Sequence, residues 1–309
     1  MQGDFFLTTW FFEGMKWVYY NIAGSHIVIT IVICTILLKL ITVFSDIKSR
    51  QYSMKMAVVQ PEIQRIQKKY KDNPKKAQEE QSKLMKREGV SMLGGCLPML
   101  VMMPLFFCFI AAFRFWGHEQ MVRVLLELSE TGHSTLFDSF RFLWVANIWQ
   151  PDNGTVSVVM NAQTFLANAE IPKLLFFQQN PAALEAFKNL GFIIADPQNI
   201  PAEAIAKYNE LVAPLIAQYQ GYSNGWFILP VLSAGVNFLS QWILSKSQPA
   251  TPNNNSKMML YLFPAMSFFF CLSANAAFAV YWVMSGLTTL ATQLILNKKF
   301  PRPVVEVEK

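Results

Sequence analysis

Lys39 lies inside the apolar run Ile22–Phe44 (IAGSHIVITIVICTILLKLITVF), 23 residues long. At a rise of 1.5 Å per residue, a helix of that length crosses a hydrocarbon core about 30 Å thick. A charge within such a span costs about 2.5–3.5 kcal/mol on insertion scales, so it requires a partner or a cavity. Thr35, Lys39, Thr42 and Asp46 recur at i, i+4, i+7 and i+11 and so share one helical face. Lys39 also stands only five residues before Phe44, and its four-carbon stem could snorkel to the headgroups. Snorkelling and a buried polar site both remain open from this residue alone.

The chain has 309 residues, 53% of them hydrophobic, which fits an integral membrane protein. Five stretches are long or apolar enough to be expected spans: 22–44, 91–113 (apolar from Leu93 to Phe113), 225–244, 258–272 and 276–296. The fourth has 15 residues, short for the hydrocarbon core, so the bilayer thins around it or the span extends. Ser273-Ala274-Asn275 leaves room only for a tight turn between the last two.

Lysine and arginine set the expected orientation. Asp46–Val90 carries 12 Lys/Arg against 6 Asp/Glu, whereas Arg114–Asn224 carries 6 against 10. Ser245–Lys257 has a net charge of +2, and Asn297–Lys309 has 4 Lys/Arg against 2 Asp/Glu. Every basic segment falls on one side if the N-terminus is outside and the C-terminus is cytosolic. The expected organisation is an outer interfacial helix (1–21), a cytosolic helical hairpin (45–90), an extracytoplasmic loop (114–224), a cytosolic loop (245–257) and a cytosolic tail (297–309).

All four cysteines (Cys34, Cys96, Cys108, Cys271) fall in expected spans, where cysteine acts as a small apolar residue. No metal-binding spacing occurs among them or His26, His118 and His133. No cofactor is expected. Residues 1–20 lack a basic n-region and so are not read as a cleavable signal. The aromatics Phe5, Phe6, Trp10, Phe11, Phe12, Trp17, Tyr19 and Tyr20 suit a helix lying at the membrane surface.

Two further spans carry polar stripes. Ser233, Asn237, Ser240 and Gln241 share a face of the third, and Tyr281, Ser285, Thr288, Thr289 and Thr292 follow helical spacing in the fifth. Packing glue between helices is the plainer reading of each stripe. Three stripes and a lysine together favour a shared hydrophilic cavity. The second span instead supplies Met92, Met99, Met102 and Met103, suited either to a promiscuous apolar surface or to core filling.

In the charged segment, Gln60–Tyr70 is expected as a helix with Pro61 in its first turn and Ile63, Ile66 and Tyr70 on one face. Asp72-Asn73-Pro74 turns the chain, and Lys75–Arg87 returns with Ala77 and Leu84 on its apolar side. So thin a seam predicts a mobile hairpin. Its basic residues, including Lys55, Arg65, Lys68, Lys69, Lys75 and Lys76, either meet an anionic lipid, RNA or acidic protein surface or are simply solvated.

The string from Ser53 to Tyr70 (SMKMAVVQPEIQRIQKKY) resembles the hairpin signature of the YidC/Oxa/Alb membrane insertases. Gly95-Cys96-Leu97-Pro98 with Pro104, Phe142-Leu143-Trp144, Ile228-Leu229-Pro230 and Val280-Tyr281-Trp282-Val283 resemble that family's later landmarks in order. The resemblance covers about 200 residues and implies an all-α membrane protein, its five-helix core enclosing a groove open to cytosol and lipid. It further implies that a cation in the first span receives hydrophilic parts of a client. Lys39 holds that place, where the family more often has arginine; lysine lacks the planar fork for bidentate hydrogen bonding. Thr35, Thr42, Asn237, Gln241 and Ser285 would line the groove, and Tyr281 and Trp282 fall where the family contacts substrate helices. The expected partners are nascent membrane proteins, lipid, the ribosome, the signal recognition particle pathway and the Sec translocon, with no DNA.

Two departures stand out. About 70 residues from Asn153 to Asn224 exceed the usual outer loop and read as short helices, such as Pro201–Gln218, which Pro214 should kink or end. The short tail after Leu296 argues against ribosome tethering through it. A bacterial plasma-membrane insertase and chaperone, not an enzyme, is the expectation. The rival is a small-solute transporter or channel, which would usually show internal repeats. An intramembrane enzyme is disfavoured, since the spans hold no Asp or Glu and no His-Glu-x-x-His.

Overall fold

A computed structural model describes residues 6–90, 97–247 and 255–301. Twelve α-helices occur among them: α1 (Phe6–Asn21), α2 (Ile27–Lys69), α3 (Pro74–Arg87), α4 (Leu97–Thr131), α5 (Thr135–Asp138), α6 (Ala162–Leu166), α7 (Leu175–Gln179), α8 (Pro181–Asn189), α9 (Ala202–Gln218), α10 (Ile228–Ser247), α11 (Asn255–Ser273) and α12 (Ala276–Lys299). The described residues contain two isolated β-bridges and no strand. The fold is all-α. Among the described residues α2, α10 and α12 are long and apolar enough to cross a membrane, and Leu260–Ser273 of α11 is a shorter apolar stretch. α4 begins inside the second expected span; Met92 and Gly94–Cys96 lie outside the described residues.

Two compact units form. The first comprises Met1–Ile31, Phe107–Val231 and Phe269–Tyr281. Its helix α1 buries Phe12, Met15 and Val18, with Phe12 and Tyr19 both edge-on to Trp116 of α4. The opposite face leaves Trp10, Trp17 and Tyr20 exposed. Lys16 and Arg123 converge on the buried Glu119 carboxylate at 2.6 and 2.8 Å, joining α1 to α4. A carboxylate with so little solvent needs such paired cations.

Residues 153–224 fold on an aromatic core in which Phe165, Phe177, Phe187, Phe192 and Tyr208 are fully buried. The Tyr208 hydroxyl donates to the Met160 carbonyl at 2.7 Å, as a buried phenol must. α9 runs to Gln218, four residues past Pro214. Beside this region, buried Asp152 accepts from Trp144 Nε1 (3.1 Å) and from the backbone amides of Trp226 (2.8 Å) and Leu229 (2.7 Å), so it caps α10. A Cβ at Gly225, whose φ is +139°, would collide with that carboxylate. The start of α12 is satisfied likewise: the amides of Ala276 and Ala277 reach the Gln150 and Ile148 carbonyls, and Asn275 Oδ1 accepts from Phe278.

The second unit comprises Val32–Phe106, Leu232–Phe268 and Trp282–Lys309. Here the structure corrects one expectation. Gln60–Tyr70 is not a separate helix starting at Pro61; α2 runs unbroken for 43 residues with Pro61 inside it. Proline forfeits one backbone bond there. Val59 and Ile63, on either side, are held in one apolar cluster with Leu84 and Val90, and that packing outweighs the local preference. Asn73 caps α3, its side chain accepting from the Lys76 amide at 3.1 Å, with Pro74 in the first turn. α3 ends in a Schellman motif: Gly89 (φ +62°) bonds Lys86, and Val90 bonds the Met85 carbonyl at 2.8 Å.

Candidate functional site

The polar stripe of α2 turns inward and its apolar face outward. Thr35 and Thr42 are buried, whereas Leu40, Ile41 and Phe44 are exposed. An outward face of large apolar side chains is what lipid requires. Lys39 Nζ donates to Asp46 Oδ2 at 2.7 Å and to Thr289 Oγ1 of α12 at 3.3 Å. The Lys39 side chain is 14% exposed and that of Asp46 29%. The ammonium therefore sits among protein groups, and its stem runs toward the charged end of the helix. Thr42 Oγ1 donates to the Lys39 carbonyl at 3.2 Å.

The stripe of α10 meets α12 and α11. Asn237 is buried on α10, where its Nδ2 donates to the Ser233 carbonyl at 2.9 Å. Gly286 of α12 faces it: a Cβ there would lie 3.9 Å from Asn237 Nδ2. Ser233 Oγ donates to the Ser267 carbonyl of α11 at 3.2 Å, and both serines are buried. Ser240 Oγ is buried and has no hydrogen-bond partner among the described residues. Gln241 and Ser285 are half-buried. Ser285 gives its carbonyl to Thr288 Oγ1 at 2.9 Å, and Thr292 bonds back to Thr288 at 2.8 Å.

Tyr281 and Trp282 part company. In the first unit Tyr281 is buried, stacked on Phe109 at 3.8 Å between centroids. In the second unit Trp282 is half-buried, with Phe106 at 5.0 Å and Phe263 at 6.4 Å. The basic residues Lys55, Arg65, Lys68, Lys69, Lys75 and Lys76 are all exposed on α2 and α3. Lys69 and Lys76 both approach the Tyr70 ring, at 5.5 and 5.3 Å from its centroid. Met103 is exposed.

Sequence reasoning placed Asp46 on the correct face without pairing it with Lys39. The i, i+7 spacing was the available signal. Thr289 stands in the fifth-span stripe, but its pairing with Lys39, like the approach of Gly286 to Asn237, joins different helices and has no local signal.

The family model described as 60Kd inner membrane protein matches residues 17–303, nearly the whole chain. The chain belongs to this family. It is the YidC/Oxa/Alb group that the sequence landmarks resemble. A relative named membrane protein insertase YidC from Chlorobium phaeovibrioides is 28% identical over 267 residues, covering 86% of this chain and 32% of the relative. A protein of the same name from Clostridium perfringens is 37% identical over 141 residues, 46% of this chain and 52% of that one. A third, from Chlorobium luteolum, is 28% identical over 273 residues. The chain thus spans about a third to a half of the length of these relatives. Family and apolar helices together make this a membrane-embedded protein.

Proposed function

We propose that this family member is a membrane protein insertase and chaperone that receives nascent transmembrane segments in a hydrophilic groove and releases them sideways into lipid. The observation that carries the reading is the Lys39 ammonium, held among inward-facing polar groups of α2 and α12 while the back of α2 offers Leu40, Ile41 and Phe44 outward. A client with a short hydrophilic outer flank must take polar groups through hydrocarbon, which costs several kcal/mol for each unsatisfied group. A recess with a cation and the hydroxyls and amides of Thr35, Thr42, Asn237, Gln241 and Ser285 lowers that barrier. The buried Ser240 hydroxyl supports hydration there, being a group that water would satisfy.

The mechanism makes and breaks no covalent bond. Partition of the client's apolar segment into lipid supplies the driving force. In this reading the groove opens to the cytosol of a bacterial cell, with the N-terminus outside the plasma membrane and the C-terminus inside. Trp282 meets client helices, next in sequence to Tyr281, which is stacked on Phe109. The exposed lysines of α2 and α3 receive the ribosome, the signal recognition particle pathway or the Sec translocon. The names of the relatives support the insertase role, and the basic surface supports anionic partners.

Reconstitution of the full chain into liposomes tests the proposal. A single-span client with a short hydrophilic outer flank is synthesised alongside and read by protease protection. Severalfold more protected client than in empty liposomes is expected. Protection equal to empty liposomes overturns the reading, and solute flux without insertion would establish a channel instead.

A further inference from the structure

We propose that Asp46 is a built-in stand-in for the client carboxylate, so that an acidic client reaches Lys39 only by displacing it, and that this competition holds down the preference for acidic flanks. The inference rests on the insertase reading above and adds a residue that sets its specificity.

Seven residues separate Lys39 from Asp46, an axial distance of about 10.5 Å on one face of α2. Helical side chains lean by default toward the N-terminus, so a lysine does not drift into a partner two turns ahead. Contact at 2.7 Å requires the Lys39 stem to run along the helix, toward Asp46, with Thr289 Oγ1 as a second acceptor at 3.3 Å. The resting ammonium is therefore already neutralised by a carboxylate of the same chemistry a client would bring.

The two partners differ in freedom. Asp46 is twice as exposed as Lys39, 29% against 14%, and lies at the end of the run where the charged segment begins. It is the member that can leave for water, while the ammonium stays between α2 and α12. A client carboxylate entering the recess replaces one ion pair by another and frees Asp46 to be solvated. A neutral flank offers no such replacement and must leave the internal pair intact. With two carboxylates competing for one ammonium, the internal one lowers the net gain of an acidic flank and so sets how strongly the site discriminates by charge.

The test compares two otherwise identical single-span clients, one with an Asp and one with an Asn in the outer flank. They are inserted by the full chain in liposomes free of anionic lipid. Asp46→Asn is expected to raise the acidic-to-neutral insertion ratio roughly two- to fivefold, the range for a partly exposed ion pair. Asp46→Ser should act likewise, and Asp46→Glu, which keeps the carboxylate, should hold the wild-type ratio. An unchanged or lowered ratio in both neutral variants overturns the proposal, as does an equal loss of both clients, which would mark Asp46 as a support for Lys39. Failure of the wild-type chain to insert either client is a different result: it removes the insertase reading and this inference with it.

Discussion

Gly286 on α12 approaches Val236 on α10 so closely that a Cβ built on the glycine lies 2.8 Å from Val236 Cγ1. Valine has one strongly preferred rotamer in a helix and yields little. Gly286→Leu is therefore expected to cost about 1–3 kcal/mol through overpacking, and Gly286→Ala less. Thermal unfolding in detergent checks the order: wild type most stable, then alanine, then leucine. Equal melting temperatures would mean the two helices separate freely there.

Replacing Lys39 separates charge from fork geometry. Lys39→Arg should retain insertion, whereas Lys39→Ala should lose it for clients with acidic outer flanks. Normal insertion of those clients by Lys39→Ala would leave snorkelling as the whole role of the lysine.

The segment Gln60–Arg87 rests on a small seam, Val59, Ile63, Leu84 and Val90, with Tyr52, Met56, Ile66 and Met85 packed around it. Local opening should be easy where so few apolar groups are buried. Amide hydrogen exchange is expected to be faster here than in α10 and α12, and to slow on addition of a cytosolic partner. Strong uniform protection in the isolated protein would contradict a mobile arm.

His118 supplies a pH dependence. Burial, followed by the charge of Arg114, pushes its pKa down to about 4, and the ring contacts Asn168 Nδ2 at 2.9 Å. Between an unfolded value near 6.5 and that folded value, the unfolded chain binds a proton that the folded chain refuses. Stability therefore falls as pH drops through this window and is complete above it, by about 3 kcal/mol at most. Melting temperatures from pH 7.5 to 4.5 should decline in the wild type and flatten in His118→Gln; parallel curves would assign the loss to other groups.

What could be read from the sequence was what helical spacing expresses locally. Thr35, Lys39, Thr42 and Asp46 fall on one face because their separations match the helical repeat, and the inward turn of that face follows from its polarity. The Lys39–Thr289 contact joins residues 250 positions apart, so no local pattern announces it. Gly286 reads in sequence as one more small residue of a span; only Val236 on another helix makes its size necessary. Pro61 misled because the rule for proline is local, whereas the burial of Val59 and Ile63 that overrides it depends on α3. Glu119 carries no local sign of its Lys16 ion pair, which joins residues 103 positions apart.

The unbroken course of α2 has a mechanical consequence. Lys39 and the exposed Lys68 stand 29 residues apart on one helix, about 44 Å along its axis. A hinged arm would dissipate a pull on its tip by bending at the joint. Once a docked partner holds the outer turns closed, a continuous helix passes the same pull on as tilt or rotation at its far end. A partner docked at Lys68 or Lys69 would thus deliver a torque to the surroundings of Lys39, and two glycines placed at Tyr52 and Ser53 would act as a damper between them.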